Sequence, residues 1–240
     1  MSFLPDSMRH HTNLERDGFL TLGSVFEPRE IDWILDEFKA LPASEGISTR
    51  GGKVFGVRNL FEKLPSLRSV VDCALVKSLV KQLVGDEARP VRSLFFDKNS
   101  AANWNVAWHQ DLTIAVRRQR QVEGFGPWTL KAGVPHVQPP FPILERMLAL
   151  RIHLDDADES NGALRVIPGS HKLGRLSPSA IEQLTAANHR ICAIGAGGVL
   201  FMKPLLLHSS LSCKSPGHRR VLHLEFSADR LPGELEWYGH

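Results

Sequence analysis

The sequence predicts a mainly β fold, an antiparallel sandwich or barrel, with helices before it and one long insertion within it. Short apolar runs separated by turn residues recur from residue 91 to residue 226, which is typical of antiparallel sheets. Apolar residues at helical spacing are confined to the first 85 residues. Residues 113–145, rich in Gly, Pro, Arg and aromatic side chains, have the length of a functional lid. At 240 residues the chain suits one domain, residues 1–240, with the lid inserted.

Two helices are predicted in the N-terminal region. A short charged turn precedes a strand over residues 19–22, and Pro28 then suits the first turn of a helix that ends before Pro42. Residues 54–60 form a predicted strand in which Gly56 marks a bulge or a close approach. A second amphipathic helix is predicted over residues 65–85. Its buried stripe comprises Leu67, Val70, Val71, Leu75, Leu79 and Leu83.

The remaining apolar runs predict the strands of the β core. The dipeptide Asn161-Gly162 lies between two of these runs, which predicts a hairpin. The runs cover residues 91–96, 106–108, 147–154, 163–167, 191–194, 199–202 and 221–226.

Composition excludes several classes of protein. A formal net charge of +3 is too small to predict nucleic-acid binding. Three widely spaced cysteines predict neither a disulfide framework nor a structural zinc site. No apolar run reaches the roughly 18 residues of a membrane span, and residues 1–15 lack the apolar core of a signal peptide. We therefore expect a cytoplasmic protein, of undetermined oligomeric state, with neither a membrane nor a nucleic-acid partner.

Two His-x-Asp pairs are the candidate metal ligands. In a strand, alternate side chains share one face, so His109 with Asp111, or His153 with Asp155, would present an imidazole and a carboxylate together. A distant histidine such as His208 would complete the two-His, one-carboxylate set of non-haem Fe(II) oxygenases. Local spacing does not separate the pairs, and both could be structural. Context favours the first pair, because it lies at the mouth of the insertion whereas Asp155 opens an acidic run.

An ordered set of motifs resembles the phytanoyl-CoA dioxygenase family, which are iron- and 2-oxoglutarate-dependent oxygenases. The resemblance covers nearly the whole chain outside residues 113–145. It implies a double-stranded β-helix core, jelly-roll or cupin-like. The motifs are Asp17-Gly18-Phe19-Leu20 before a helix, Trp108-His109-Gln110-Asp111, the run from Asn161 to His171, His208-Ser209-Ser210, and Arg219.

The resemblance assigns the central residues. It implies that His109, Asp111 and His208 are the iron ligands and the catalytic centre. It also implies that Arg219 holds the far carboxylate of 2-oxoglutarate, with Ser210 as a hydrogen-bonding companion. A planar guanidinium suits this role because it matches a carboxylate with two parallel hydrogen bonds.

Four further residues are expected in or near the co-substrate pocket. Arg151 stands where relatives often carry a tryptophan, so it either lines this pocket or meets an anionic substrate group. Arg58 lies near the position of a basic pocket residue in relatives, and Leu94 near a pocket wall. Gln110 either supports the co-substrate through its neighbours or has a structural role.

The resemblance implies a hydroxylase that consumes O2 and releases succinate and CO2 while oxidising a small-molecule substrate. Related halogenating enzymes replace the carboxylate ligand with a small residue, so Asp111 favours hydroxylation. Three arginines of the insertion, Arg117, Arg118 and Arg120, either face solvent or meet an acidic substrate, and His136 is a candidate substrate contact. The alternatives are a non-catalytic metal- or ligand-binding protein on the same fold and a zinc enzyme independent of 2-oxoglutarate. No Gly-x-Ser-x-Gly elbow is present, which disfavours a hydrolase.

Overall fold

The N-terminal third of the chain forms helices and strands that flank the β core. The structure, a computed structural model, describes residues 6–41, 44–186, 189–214 and 217–239. The elements of this third are α1 (Asp6–Asp17), β1 (Phe19–Leu22), α2 (Pro28–Glu37), β2 (Ile47–Arg50), β3 (Lys53–Arg58), α3 (Leu60–Lys63) and α4 (Ala74–Val84). Short 3-10 helices span Phe38–Ala40 and Pro65–Asp72.

The first strand and α2 are confirmed, and two other predictions for this region are wrong. The predicted charged turn before β1 is the last part of α1, which buries Leu14 completely. The predicted helix over residues 65–85 is two helices separated by an extended Cys73. Because Leu67 and Val70 are three residues apart, they share one face of the 3-10 helix. The break moves Leu75 out of the expected stripe, and this side chain is 45% exposed.

Strands dominate the rest of the chain, and every predicted apolar run overlaps one of them. These elements are β4 (Arg89–Lys98), β5 (Val106–His109), β6 (Ile114–Ala115), β7 (Trp128–Lys131), β8 (Val134–Val137), α5 (Phe141–Arg146), β9 (Leu148–His153), β10 (Leu164–Val166), α6 (Pro178–Thr185), β11 (Arg190–Cys192), β12 (Val199–Met202), β13 (His208–Ser210) and β14 (Arg219–Ser227). A 3-10 helix spans Ser170–Leu173.

Two antiparallel sheets form the β sandwich. The larger has the strand order β1-β12-β9-β14-β4-β3-β2, and the smaller has the order β11-β10-β13-β5. The predicted hairpin at Asn161-Gly162 is wrong, because β9 lies in the larger sheet and β10 in the smaller one. This turn therefore carries the chain from one sheet to the other.

The larger sheet has two different faces. Its outer face packs on the N-terminal helices, where Leu150, Leu222 and Leu224 join Ile34 and Leu79 in one buried cluster. Alternate residues of each strand point the other way, into the sandwich. On β4 and β14 these inward positions are largely polar or charged, and they form much of the site described below.

The insertion is an ordered layer with its own apolar core. Strands β6, β8 and β7 pair in that order as a separate sheet. Ile114, Val137 and Ile143 pack in one cluster with Leu235 and Trp237 near the chain end. The division into one domain with a lid stays a prediction.

Within the described residues, no helix has both the length and the apolar character needed to cross a bilayer. Cys73, Cys192 and Cys213 are free thiols.

Gly162 is required by the crossing between the sheets. Its φ of +77° favours glycine, and a Cβ at this position would overlap the carbonyl oxygen of Leu211. We expect Gly162→Ala to lower the free energy of unfolding by at least about 2 kcal/mol, because backbone strain adds to the overlap. Urea denaturation measures this loss.

Gly52→Ala is the matched control. Gly52 has a similar φ of +73°, but a Cβ on this residue would meet no other described atom within 4 Å. The free energy of unfolding of Gly52→Ala should therefore fall by only about 1–2 kcal/mol, which is the conformational cost of a left-handed alanine. Equal losses in the two variants would contradict a role for the Leu211 contact.

Candidate metal centre

Paired strands bring two histidines together. His109 at the end of β5 is the cross-strand neighbour of His208 at the start of β13. Asp111 follows β5, and its backbone N–H donates to the carbonyl oxygen of Pro204 at 2.9 Å. The Asp111 carboxylate oxygens lie 3.8 Å from His109 Nε2 and 3.7 Å from His208 Nε2. Within the described residues, these three form the one group of three or more His, Cys, Asp or Glu side chains placed to hold a metal ion.

Both imidazoles present a free lone pair to this point. His109 Nδ1 lies 2.8 Å from the carbonyl oxygen of Ala107, and His208 Nδ1 lies 2.8 Å from that of Leu206. Because a carbonyl can only accept, Nδ1 carries the proton in each ring and Nε2 is left as the acceptor. This is the arrangement of outer hydrogen bonds that orients histidine ligands in metal sites.

Electrostatics place His208 and Asp111 in the states a divalent metal needs. Burial lowers the pKa of His208 to about 4, although the Asp111 carboxylate opposes this shift. Burial disfavours the ionised form of Asp111, but His208, His223 and His109 outweigh it and lower the pKa to about 2. At neutral pH the buried imidazole is therefore neutral and the carboxylate is charged. Two nitrogens and one oxygen on one side of an ion fit Fe(II) with positions left open.

The second His-x-Asp pair is not arranged for metal binding. Both carboxylate oxygens of Asp155 accept hydrogen bonds from the Arg220 guanidinium, at 2.8 and 2.6 Å. His153 is buried, and neither ring nitrogen has a hydrogen-bond partner within the described structure. Burial lowers its pKa to about 3. The structure thus separates the two pairs that sequence spacing left equivalent.

Buried cations lie on the inner face of the larger sheet. Arg219 on β14 is the cross-strand neighbour of Lys98 on β4. Arg219 Nη2 lies 3.5 Å from Ser210 Oγ, whereas its Nε and Nη1 atoms have no partner among the described residues. Lys98 Nζ donates to Ser210 Oγ at 2.5 Å and to the carbonyl oxygen of Leu211. Arg151 is also buried, with Nε unpartnered in the described chain.

These cations destabilise one another in the absence of an anion. Burial and the neighbouring Arg219 lower the pKa of Lys98 to about 7 and that of Arg151 to about 10. Burial also lowers the pKa of Arg219. Unpaired buried charges are costly, so the arrangement fits an anionic ligand that would accept the missing hydrogen bonds.

One cavity of about 180 Å³ joins the histidines, the carboxylate and these cations. Eight of the nine predicted site residues line it, namely Arg58, Leu94, His109, Asp111, Arg151, His208, Ser210 and Arg219.

Gln110 does not line the cavity, and its hydrogen bonds favour the structural one of its two predicted roles. Its Nε2 donates to the carbonyl oxygens of Gly174 and Leu205, at 2.8 and 2.7 Å. Its Oε1 accepts from the backbone N–H of Leu176 at 2.9 Å. Gln110 therefore ties the end of β5 to the segment that leads into His208.

Sequence reasoning missed several cavity residues. Arg92, Phe96 and Lys98 alternate on β4, and His223 and Glu225 continue the Arg219 face of β14. Charged or polar residues that recur on one face of otherwise apolar strands were an available signal. Lys131, also in the cavity, comes from the insertion, where no sequence signal indicated its direction.

A buried ion pair completes the inner face. Arg92 Nη1 lies 2.7 Å from Glu225 Oε1, and His223 Nε2 lies 3.4 Å from the same oxygen. Burial opposes ionisation of Glu225, but Arg92 and His223 outweigh it and lower the pKa of the carboxyl. Glu225 is therefore charged and already paired.

The other candidate substrate contacts do not line the cavity. Arg117 and Arg118 line a separate cleft with Tyr238, and Arg120 is exposed. His136 is buried, with Nδ1 3.0 Å from the carbonyl oxygen of Val134. Burial lowers its pKa to about 4.

Comparison with known proteins agrees with this geometry. The family model "Phytanoyl-CoA dioxygenase (PhyH)" matches residues 14–221. The ectoine dioxygenase of Bordetella bronchiseptica is 26% identical over 166 residues, which are 66% of this chain and 47% of the relative. The ectoine dioxygenase of Sphingopyxis alaskensis is 23% identical over 176 residues, 70% of this chain and 51% of the relative. The chain thus spans about half the length of the curated relatives it matches.

Solved structures share the fold. EctD from S. alaskensis, crystallised with 2-oxoglutarate and 5-hydroxyectoine, superposes with a TM-score of 0.71 at 18% identity, covering 91% of this chain and 75% of EctD. AviO1 from Streptomyces viridochromogenes Tue57 gives a TM-score of 0.64 at 20% identity, covering 97% and 99%. With the two antiparallel sheets, these likenesses confirm the predicted mainly β fold with a jelly-roll core.

Removal of the Gln110 amide should weaken the centre. Gln110→Leu leaves two buried carbonyls and one N–H without their partner, so we expect a loss of about 1–3 kcal/mol in unfolding free energy. Fe(II) affinity should fall roughly tenfold because the ligand-bearing segments are less fixed. Urea denaturation and anaerobic Fe(II) titration measure the two effects. Gln183→Leu, an exposed change on α6, should alter neither, and wild-type behaviour of Gln110→Leu would refute the structural role.

His153 should make the folded state sensitive to acid. Its pKa is about 3 when folded and near 6.5 when unfolded, so the unfolded state binds more protons as the pH falls through this window. Protonation of His153 in the unfolded chain should lower the free energy of unfolding by about 2 kcal/mol between pH 7 and pH 5. His153→Leu, measured by urea denaturation with a chelator present, should lose correspondingly less stability over this range.

His11→Leu provides the comparison for this experiment, because His11 is exposed on α1. This variant should retain the wild-type pH dependence. An unchanged pH dependence in His153→Leu would show that His153 is not the buried neutral group described here.

Proposed function

The chain belongs to the phytanoyl-CoA dioxygenase family, and from that membership we propose that it is an Fe(II)- and 2-oxoglutarate-dependent dioxygenase that hydroxylates a small-molecule substrate. One observation carries the proposal: a two-His, one-carboxylate group and a set of unpartnered buried cations share a single cavity. A protein that only binds a metal has no need of the second group. The cytoplasmic location predicted from the sequence stays a prediction.

The protein's first task is to hold the iron. His109, Asp111 and His208 would be the ligands, and the lowered pKa values of Asp111 and His208 keep that carboxylate charged and that imidazole neutral at neutral pH. The backbone carbonyls of Ala107 and Leu206 fix the ring orientations. Little rearrangement of these side chains is then needed when iron binds.

Its second task is to hold 2-oxoglutarate. Arg219 would take the far carboxylate with its free Nε and Nη1 atoms. Lys98 and Ser210 would complete this end of the pocket, since both already lie against one another beside Arg219. Arg151 lies close enough to influence Arg219 and Asp111, which supports a place beside the same ligand. When bound, the iron and the co-substrate supply the activation of O2, with succinate and CO2 as co-products.

The nature of the carboxylate ligand supports hydroxylation. Asp111 occupies the ligand position with a charged side chain, so this position is not available to a halide. The remaining contribution of the chain is a cavity that is walled by the two sheets and by the insertion, and that limits access of water to the reacting atoms.

The proposal predicts a specific spectroscopic result. Anaerobic addition of Fe(II) and 2-oxoglutarate should give a weak visible charge-transfer band, because the keto acid then chelates iron beside the protein ligands. His109→Ala should lose the band. Arg219→Gln should require at least about tenfold more 2-oxoglutarate, since charge-assisted hydrogen bonds are lost.

His153→Ala is the control, because it removes a buried histidine of the other His-x-Asp pair. It should keep the band. A band lost in His153→Ala and kept in His109→Ala would move the site to the other pair. Folded, iron-loaded wild type that gives neither a band nor succinate under air would leave the non-catalytic binding protein as the better function.

A further inference from the structure

The cavity holds more positive charge than the co-substrate needs. Two carboxylates, Asp111 and Glu225, face a larger set of cations along its walls. This set comprises Arg58, Arg92, Lys98, Lys131, Arg151 and Arg219. Under the proposed function, Lys98, Arg151 and Arg219 serve 2-oxoglutarate, iron neutralises Asp111, and Arg92 is paired with Glu225 at 2.7 Å. Arg58 and Lys131 are the two cations of the cavity lining that this assignment leaves without a role.

The sheet register places Arg58 away from the co-substrate end. Arg58 on β3 is the cross-strand neighbour of Leu94 on β4, whereas Arg219 is the neighbour of Lys98. Leu94 and Lys98 are four residues apart on one face of β4, which corresponds to about 13 Å at 3.3 Å per residue. The four carbon–carbon bonds of a five-carbon dicarboxylate span at most about 6 Å. The inward side chain between Leu94 and Lys98 is Phe96.

Arg58 and Lys131 form a second positive group with Arg92. Burial lowers the pKa of Arg58, and Arg92 lowers it further. Burial also lowers the pKa of Lys131, with Arg92 and Arg58 adding to the shift while Asp111 and Glu225 oppose it. Lys131 therefore lies near Arg58 and within electrostatic range of the metal ligand Asp111.

Within the described residues, neither side chain forms an ion pair. In the part of the chain that the structure describes, the Arg58 guanidinium has no hydrogen bond or ion pair. Lys131 Nζ has one weak contact, 3.5 Å from the hydroxyl of Thr113. Both side chains are half-buried, so water satisfies their hydrogen-bond donors incompletely. An anion would accept hydrogen bonds from both. Arg58 offers a planar fork and Lys131 a point charge, a pair suited to a carboxylate or a phosphate.

We propose that Arg58 and Lys131 bind an anionic group of the substrate, a carboxylate or a phosphate, at the end of the cavity opposite Arg219. This inference rests on the proposed function and names its substrate class, a small organic acid or phosphate ester with an apolar body. Leu94 and Phe96 lie between the two positive groups and would contact that body. The inference also moves Arg58 from the co-substrate, where sequence resemblance placed it, to the substrate.

Calorimetric titration of matched probes tests the assignment. Wild-type protein, saturated anaerobically with Fe(II) and 2-oxoglutarate so that the co-substrate end is filled, is titrated with benzoate, phenyl phosphate and benzamide. At least one anion should bind about tenfold more tightly than benzamide, because charge-assisted hydrogen bonds form only with the anions. Arg58→Gln and Lys131→Met should each reduce that preference to less than about threefold while leaving 2-oxoglutarate affinity unchanged.

Arg120→Gln is the matched control. It removes an exposed arginine of the same insertion that does not line the cavity, and it should keep the full preference. The inference is overturned if neither anion binds better than benzamide, or if the preference survives in Arg58→Gln and Lys131→Met. Loss of 2-oxoglutarate affinity in Arg58→Gln would return this residue to the co-substrate.

The experiments distinguish failure of the proposed function from failure of the inference about Arg58 and Lys131. Absence of 2-oxoglutarate binding to wild type refutes the proposed function. The probes are then titrated without the co-substrate, and the same variants decide whether the anion site exists.

Discussion

The register between β4 and β14 is the constraint on which the rest of the site depends. Side chains alternate between the two faces of a strand, so a slip of one residue would exchange every inward group for an outward one. The outer face prevents such a slip, since Leu222, Leu224 and Phe95 are packed against the N-terminal helices. The same packing that stabilises the fold thus fixes Lys98 opposite Arg219 and Arg92 opposite Glu225. Burial of these charges is tolerated because the apolar face leaves the strands no alternative arrangement.

The smaller sheet faces this charged wall with the candidate metal ligands. His109 and His208 are held as cross-strand neighbours. Gln110 connects their two segments by one hydrogen bond to Leu205 and ties both to residues 174–176 by two more. Each ring is oriented by a carbonyl two residues before it in its own chain segment. The centre therefore depends on local backbone geometry for ligand direction and on sheet pairing for ligand separation.

Sequence reasoning reached the parts of this site that are encoded locally. The spacing of His109 and Asp111 predicts a shared direction, and the ordered motifs supplied His208 and Arg219. The prediction of a hairpin at Asn161-Gly162 was wrong. A tight turn has the same local sequence pattern whether its flanking strands pair together or enter different sheets. Lys98 and Lys131 were missed for related reasons. The role of Lys98 depends on a distant partner on β14, and that of Lys131 depends on the fold of an insertion with little periodic pattern. Sequence context and the motifs favoured the first His-x-Asp pair, and the contact of Asp155 with Arg220 adds a tertiary reason that local spacing could not supply.

The apolar cluster of the insertion has a consequence for how this fold can diversify. Ile114, Val137 and Trp237 pack together without drawing on the main core of the sandwich, yet the adjacent strand β7 ends at Lys131 in the cavity. Substitutions or changes of length in this layer can alter the wall of the cavity that carries Lys131 while the strand pairings of the two main sheets are retained. A related chain could thereby change the shape and charge of its cavity without changing the order of its main strands.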